Sequence, residues 1–430
     1  MYEIKEHLEN KNWVLHIGKV STLELADIYG TPLYVYDEQA IRTRYRKLVA
    51  SFSKHYKNFK CYYAVKANNN LAIIKILREE GAGLDCSCPA EIFLGKKAGF
   101  PNDKLLYSGV YLRDDEIEYG INADVPINLE DVSQIDRLVK KCKQLNKFPE
   151  LISFRINPGM GKGNVEGNVF GGKDAKFGVI EDQAVNAYRK AQDAGFMRFG
   201  IHMMTGSCVL EADYFEAITK KLLDIAGRIK KELGIDFEFI DIGGGFGITY
   251  NKGEDELDIE ETAERVTKAF KEKCEEHNLG EPILKIEPGR YLTCESGILL
   301  TRVTSIKNGY KKFIGVDAGM NTLMRPALYG ANHETFIAND LMRHTKEEDF
   351  EKVSIVGPIC ENTDQFHKDK SFPQMKEGDL LAMLNSGSYG FSMGSQYNNR
   401  PMCAEVLVNN GEHKLIRRRQ TFDDLTRDMF

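Results

Sequence analysis

A (β/α)8 TIM barrel carrying a second, β-rich domain is the architecture this sequence predicts, on three observations. Eight short apolar runs follow one another between residues 61 and 289, helix-like segments separate them, and the texture changes beyond residue 296. Strands alternating with helices build parallel β/α units, and eight such units take about 250 residues. At 430 residues the chain is also too long for one small core.

The runs are "CYYAV" (61–65), "GLDCS" (83–87), "LLYSG" (105–109), "VPINL" (125–129), "ISFRIN" (152–157), "FGIHMM" (199–204), "FEFIDIGGG" (237–245) and "ILKIEPG" (283–289). Between them, "NLAIIKILREEGA" and "LEADYFEAITKKLLDIAGRIKKELG" repeat apolar residues at helical spacing. In the second, Phe215, Ile218, Leu222 and Ile225 share one face, with lysines opposite. The barrel is expected over residues 40–295. Farther on, "GILLTRVTSIK", "KKFIGVDAG", "DLLAMLNSGSYG" and "CAEVLVNNGEHKLIRR" are turn-separated β runs. Residues 296–430, with 1–39, are expected to form the β-rich domain, and "PLYVYD" (32–37) to be a strand that pairs within it. The glycine-rich stretch 157–178 resists regular structure and reads either as a linker or as a mobile loop over a site.

Composition narrows the function. A net charge of −6, with no dense basic block, argues against nucleic acid. The nearest candidate, Arg417–Arg419, reads as a solvated strand end. No apolar stretch reaches the roughly 20 residues of a membrane span, and the N-terminal run lacks a signal core, so a cytoplasmic protein is expected. Nine cysteines in no regular framework read as reduced thiols, and "CSC" (86–88) lacks the second pair a zinc site needs. No metal is expected.

In a barrel the C-terminal strand ends converge on one pocket. Here they carry Lys66, Asp85, Arg155, His202, the glycines 243–245 and Glu287. An ammonium at such a place must be used, shared or removed. "DIGGGFG" (241–247) matches neither the dinucleotide fingerprint nor a P-loop, which leaves a phosphate cradle or a tight turn. In "EPGR" (287–290), Glu287 could hold a protonated ring nitrogen and Arg290 a phosphate or carboxylate; an internal ion pair is the alternative. His202 could equally be a satisfied core histidine. One cofactor uses the lysine, the cradle and the carboxylate together: pyridoxal 5′-phosphate, bound covalently by Lys66.

"YAVKAN" (63–68), "DIGGGFG", "EPGR", "VDAGMNTLMRPALYGANH" (316–333), "GPICEN" (357–362) and "GSYGFSMGSQYNNRP" (387–401) together resemble the fold-type III pyridoxal-phosphate decarboxylases, most closely the diaminopimelate decarboxylases. The resemblance spans nearly the whole chain. It implies decarboxylation of meso-diaminopimelate to L-lysine by a homodimer whose active sites are shared between subunits. It also implies roles. Lys66 anchors the cofactor, and Asp85, Arg155, His202, Met204, Ser207, Gly243, Gly244, Gly245 and Gly289 surround it. Glu287 lies at the ring nitrogen, Arg290 near phosphate and substrate, and Tyr389 at the phosphate and substrate. Arg325 and Tyr329 hold the substrate's distal carboxylate and Glu361 its distal ammonium. Cys360 protonates Cα after carbon dioxide leaves; an arbitrary cysteine would be a small hydrophobe.

The chain departs from the family pattern at three places. "HMMTGSC" (202–208) keeps His202, Gly206 and Ser207 but sets Met204 where the family has a ring-stacking histidine. "NTD" (362–364) stands where Ser-x-Asp is usual, and the loop 157–178 keeps only "KFG" (176–178) of its family pattern. Related decarboxylases of a D-amino acid or of carrier-linked glutamate are the alternatives. The Lys66 amine and Cys360 thiol count against a non-catalytic binder, and the Cys360–Glu361 pair against a racemase.

Overall fold

The computed structural model describes residue 5 and residues 7–163 and 169–430. The chain divides into two compact units, Arg44–Thr249 with Asp255–Tyr291, and Met1–Thr43 with Tyr250–Glu254 and Leu292–Phe430.

In the first unit eight parallel strands close a ring: β1 (Phe59–Ala64), β2 (Gly83–Cys86), β3 (Leu105–Tyr107), β4 (Ile127–Leu129), β5 (Ile152–Asn157), β6 (Phe199–Met203), β7 (Phe237–Asp241) and β8 (Ile283–Ile286). β8 returns to β1 in the register Leu284↔Phe59, Lys285↔Lys60, Ile286↔Cys61, and β4 joins β5 through Ile127↔Ile152. The predicted barrel is thus present. Several strands stop short of their apolar runs, and for the last two the backbone gives the reason. β7 ends at Asp241 because Gly243 turns the chain at φ +73, and β8 ends at Ile286 because Pro288 has no N–H for the ladder.

The turns between strands and helices use local chemistry. After β1, the Tyr63 hydroxyl donates to the Asn68 carbonyl, and Asn70 caps the helix Leu71–Glu79 by accepting the Ala72 N–H. Asn68 and Asn70, behind Lys66, are therefore turn and cap residues. The long helix Ala212–Leu233 buries Phe215, Ile218, Leu222 and Ile225 as the spacing predicts, and Gly234 ends it at φ +70.

Tyr62, Leu106 and Phe239, from β1, β3 and β7, pack together inside the ring. Nearby strand positions bury polar groups: Asn128, Ser153, Arg155, His202, Asp241 and Lys285. The Lys285 ammonium lies 3.6 Å from the Phe239 ring centroid and 4.4 Å from that of Tyr62. Burial pushes this amine down to about 8.

The described part of the glycine-rich stretch is packed backbone to backbone. Lys162–Gly163 pairs with Gly206–Ser207, and the Phe170 N–H donates to the Thr205 carbonyl. A Cβ on Gly171 would meet the Met160 carbonyl oxygen at 2.2 Å, so close approach is what that glycine permits. Residues 164–168 of this stretch lie outside the described residues.

The second unit is built on a sheet in which Leu33–Asp37 runs between Gly297–Asn308, antiparallel, and Ala404–Asn409, parallel. "PLYVYD" thus forms a strand of this sheet. Leu15, Val35, Ile298, Leu300, Phe336, Leu380 and Val406 belong to one core cluster. The arginine run closes the strand Glu412–Arg417 and remains partly exposed, each arginine with a partner. Arg417 pairs with the buried Glu405, which also accepts from the Tyr36 hydroxyl; Arg418 bonds Asp424, and Arg419 donates to the Pro32 carbonyl. A buried carboxylate next to a strand end recruits the nearest cation.

Candidate active site

Lys66 sits on a short 3-10 turn, Val65–Ala67, just past β1. Its side chain is 43% exposed, so the amine stands at the rim rather than inside the strand layer. Nζ donates to Asp85 Oδ2 at 2.9 Å; Asp85 lies on β2 and is buried, and its Oδ1 has no partner. Burial raises the Asp85 carboxyl, the nearby Glu287 raises it further, and Lys66 works the other way.

Glu287 follows β8 and is 4% exposed. Oε2 lies 3.1 Å from His202 Nε2, while Oε1 is buried without a partner. Burial alone would raise this carboxyl, but His202 first, then Lys66 and Arg155, more than offset it and hold Glu287 below its ordinary value. His202 behaves conversely: burial opposes its charge, yet Glu287 lifts the imidazole above its ordinary value. Behind it, His202 Nδ1 lies 3.0 Å from Asn128 Nδ2, and the Ser153 hydroxyl donates to Asn128 Oδ1. Asp241, with one oxygen within 4.8 Å of ligand atoms on both His202 and Glu287, is raised to about 8 by burial and then by Glu287. At this level burial thus raises Asp85 and Asp241, while His202, Lys66 and Arg155 hold Glu287 low.

The glycine turn is tied to the same end. The Gly243 N–H donates to Asp241 Oδ1 at 2.9 Å, and the Glu287 N–H donates to the Gly243 carbonyl at 2.8 Å. Gly243 and Gly245 take φ +73 and +97, and a Cβ on Gly244 would meet the Glu287 carbonyl oxygen at 2.3 Å. Met204 sends its sulfur to the Gly244 N–H, 3.2 Å away. Arg155, which the sequence set among the cofactor residues, engages Glu130 at 3.0 Å, the Met204 carbonyl at 3.2 Å and the Phe177 ring at 4.2 Å. Arg290 Nη2 donates to Ser207 Oγ at 3.3 Å, and Gly289 is buried beside it.

The remaining expected residues belong to the other unit. Cys360 and Glu361 are exposed in a turn organised by Asp364, which accepts the N–H groups of Met320 and Ile359. The Cys360 N–H donates to Asn398 Oδ1 at 2.9 Å and Asn398 Nδ2 donates to Cys360 Sγ at 3.0 Å, while the Tyr397 hydroxyl donates to Glu361 at 2.7 Å. Arg325 is buried, and Tyr329 and Tyr389 are half-buried, Tyr389 at φ +55. Sequence reasoning missed Asn128, Ser153, Asp241, Lys285, Tyr397 and Asn398. For Asp241, Tyr397 and Asn398 a signal existed, since Asp241 opens the quoted motif 241–247 and the other two stand inside 387–401.

These features fit pyridoxal 5′-phosphate. A buried carboxylate oxygen without a protein partner suits a ring N–H, a turn with no room for a Cβ suits a phosphate against backbone amides, and an amine at the rim suits an aldehyde.

Residues 40–294 match the family model described as the pyridoxal-dependent decarboxylase, pyridoxal binding domain. The diaminopimelate decarboxylase of Methanothermobacter thermautotrophicus is 47% identical over 413 residues, which cover 96% of this chain and 95% of that relative. The diaminopimelate decarboxylase of Thermoplasma acidophilum is 37% identical over 409 residues, covering 95% of each chain. Among solved structures, the diaminopimelate decarboxylase of M. jannaschii in complex with L-lysine matches with a TM-score of 0.90 at 31% identity, covering 99% of this chain and 98% of the other.

Proposed function

The chain belongs to the diaminopimelate decarboxylase family of pyridoxal-dependent decarboxylases, and from that premise we propose that it converts meso-2,6-diaminopimelate to L-lysine and carbon dioxide, the last step of lysine biosynthesis. Bound pyridoxal 5′-phosphate supplies an electron sink for the pair left on Cα when the carboxylate departs. Lys66 Nζ would hold the cofactor, with Asp85 steering that amine. Glu287 would hold the cofactor's ring nitrogen, and the buried, unpartnered state of its Oε1 is the observation that carries the reading. His202 orients Glu287 through Oε2. Gly243, Gly244, Gly245, Gly289, Ser207, Arg290 and Tyr389 would hold the phosphate and Met204 the ring, while Arg155 fixes the Met204 carbonyl.

At the substrate, Arg325 and Tyr329 take the distal carboxylate and Glu361 the distal ammonium, with Arg290 and Tyr389 closing on its near end. Cys360 delivers the thiol proton to Cα, and solvent returns it. Support comes from the Asn398 amide, which already donates to Sγ, so the S–H bond points away from it. We propose further a cytoplasmic homodimer, with 40–295 as the cofactor barrel. Residues 1–39 with 296–430 would then contribute to the partner's active site and to the dimer interface.

The test is lysine and carbon dioxide release from meso-diaminopimelate with added cofactor, beside a Lys66→Ala control. Turnover that the substitution abolishes supports the substrate. A cofactor absorbance band dependent on Lys66 but no turnover would reject it in favour of a D-amino acid or carrier-linked glutamate.

A further inference from the structure

The segment that carries Arg325 ends in a histidine that none of these roles employs. His333 closes "MRPALYGANH" and is 1% exposed. Its ring nitrogens meet groups of fixed character: Nδ1 lies 2.9 Å from the Leu384 carbonyl oxygen, which only accepts, and Nε2 lies 3.0 Å from Arg325 Nη1, which only donates. The ring is therefore neutral with its proton on Nδ1, and the Nε2 lone pair receives the guanidinium.

Arg325 is itself 2% exposed and, among the described residues, has no carboxylate in ion-pair reach. Its other contact is the Tyr250 ring, 4.6 Å from the guanidinium carbon. Tyr250 is fixed in turn, its hydroxyl 3.1 Å from Cys294 Sγ and its carbonyl accepting from Asn332 Nδ2 at 3.0 Å. A guanidinium buried with only a neutral acceptor and an aromatic face keeps its charge uncompensated and awaits an anion.

We propose that His333 is a positioning residue for substrate recognition: as a neutral acceptor it orients Arg325 so that the free N–H groups and the whole positive charge are left for the substrate's distal carboxylate. A carboxylate in its place would neutralise Arg325, and a cation would repel it. The inference rests on the reading of Arg325 as ligand of that carboxylate.

The experiment uses the cofactor-loaded enzyme and two competitive inhibitors that differ by one carboxylate, L-lysine and cadaverine. His333→Phe is expected to weaken L-lysine by about tenfold while leaving cadaverine within about twofold. His333→Gln, whose amide can accept from Arg325 and donate to Leu384, is expected to restore the ratio. His333→Glu keeps an acceptor yet should erase the preference, and it carries the test if the phenylalanine variant does not fold. Equal weakening of both inhibitors, or a preference retained by His333→Glu, overturns the proposal. Arg325→Met separates the two levels. If it leaves the ratio intact, the reading of Arg325 is what fails. If it erases the ratio while His333→Phe does not, only the role of His333 falls.

Discussion

The Lys66–Glu287 region and the Cys360–Glu361 turn bring functional groups together in opposite ways. Around Glu287, burial does the work: Asp85, Asp241, His202 and Lys285 are enclosed by strands, and burial and one another's charges shift them. At Cys360 the thiol and the neighbouring Glu361 carboxylate are exposed and are held by hydrogen bonds from neighbouring turns, chiefly those of Asn398 and Tyr397. Enclosure fixes protonation state; a clamp of hydrogen bonds fixes direction.

The contrast can be broken from either side. Lys66→Ala should abolish turnover, read as carbon dioxide release, together with the lysine-bound cofactor band; residual turnover near wild type would remove Lys66 from the chemistry. Glu287→Gln, which keeps the shape but not the charge, should lower kcat by at least about a hundredfold with the fold intact. A loss of only a few-fold would mean that the enclosed charge is not what the barrel supplies. Asn398→Ala should cost less, about tenfold in kcat, and should alter the rate of iodoacetamide alkylation at Cys360 followed by peptide mass spectrometry. Unchanged alkylation would dismiss the clamp.

Acid sharpens the comparison most gently. In the β-rich unit, burial with Arg343 alongside pushes His344 down to about 4, and burial with Lys370 nearby pushes His367 down to about 3. Below an ordinary value near 6.5 the unfolded chain takes protons that these rings refuse, so stability present at neutral pH is lost as pH falls from 6.5 toward 4, on the order of 2 kcal/mol per ring. Asp241 in the barrel has the reverse sign: raised to about 8, it keeps a proton that the unfolded chain has released, so its contribution grows as pH falls from 8 toward 4. Hydrogen exchange at pH 4.5 should therefore quicken in peptides around 335–356 before those around 237–243, and the opposite order would refute the assignment.

The barrel was legible because the β/α period runs through the whole of residues 61–289, and the cofactor because a lysine, a glycine turn and a carboxylate fall at strand ends. What stayed hidden depends on register. Asn128, Ser153 and Asp241 look like ordinary strand residues until the pairings Asn128↔Ser153 and His202↔Asp241 set them side by side. Arg155 was legible as a strand-end cation, yet sequence could not show that Glu130, two residues beyond Asn128, would claim it. His333 was quoted within a motif without a role, because its value lies in two fixed partners, one of them fifty-one residues away.

The strand Leu33–Asp37 has a consequence in time. It is made before the barrel, and its sheet neighbours, Gly297–Asn308 and Ala404–Asn409, are made only after the whole barrel has been synthesised. A short apolar strand must therefore wait unpaired while the barrel folds behind it, since domains form as units during synthesis and distant pairings come last. The nascent chain carries an open β edge throughout synthesis of the barrel, and a chaperone that covers residues 33–37 would guard a strand whose sheet partners do not yet exist.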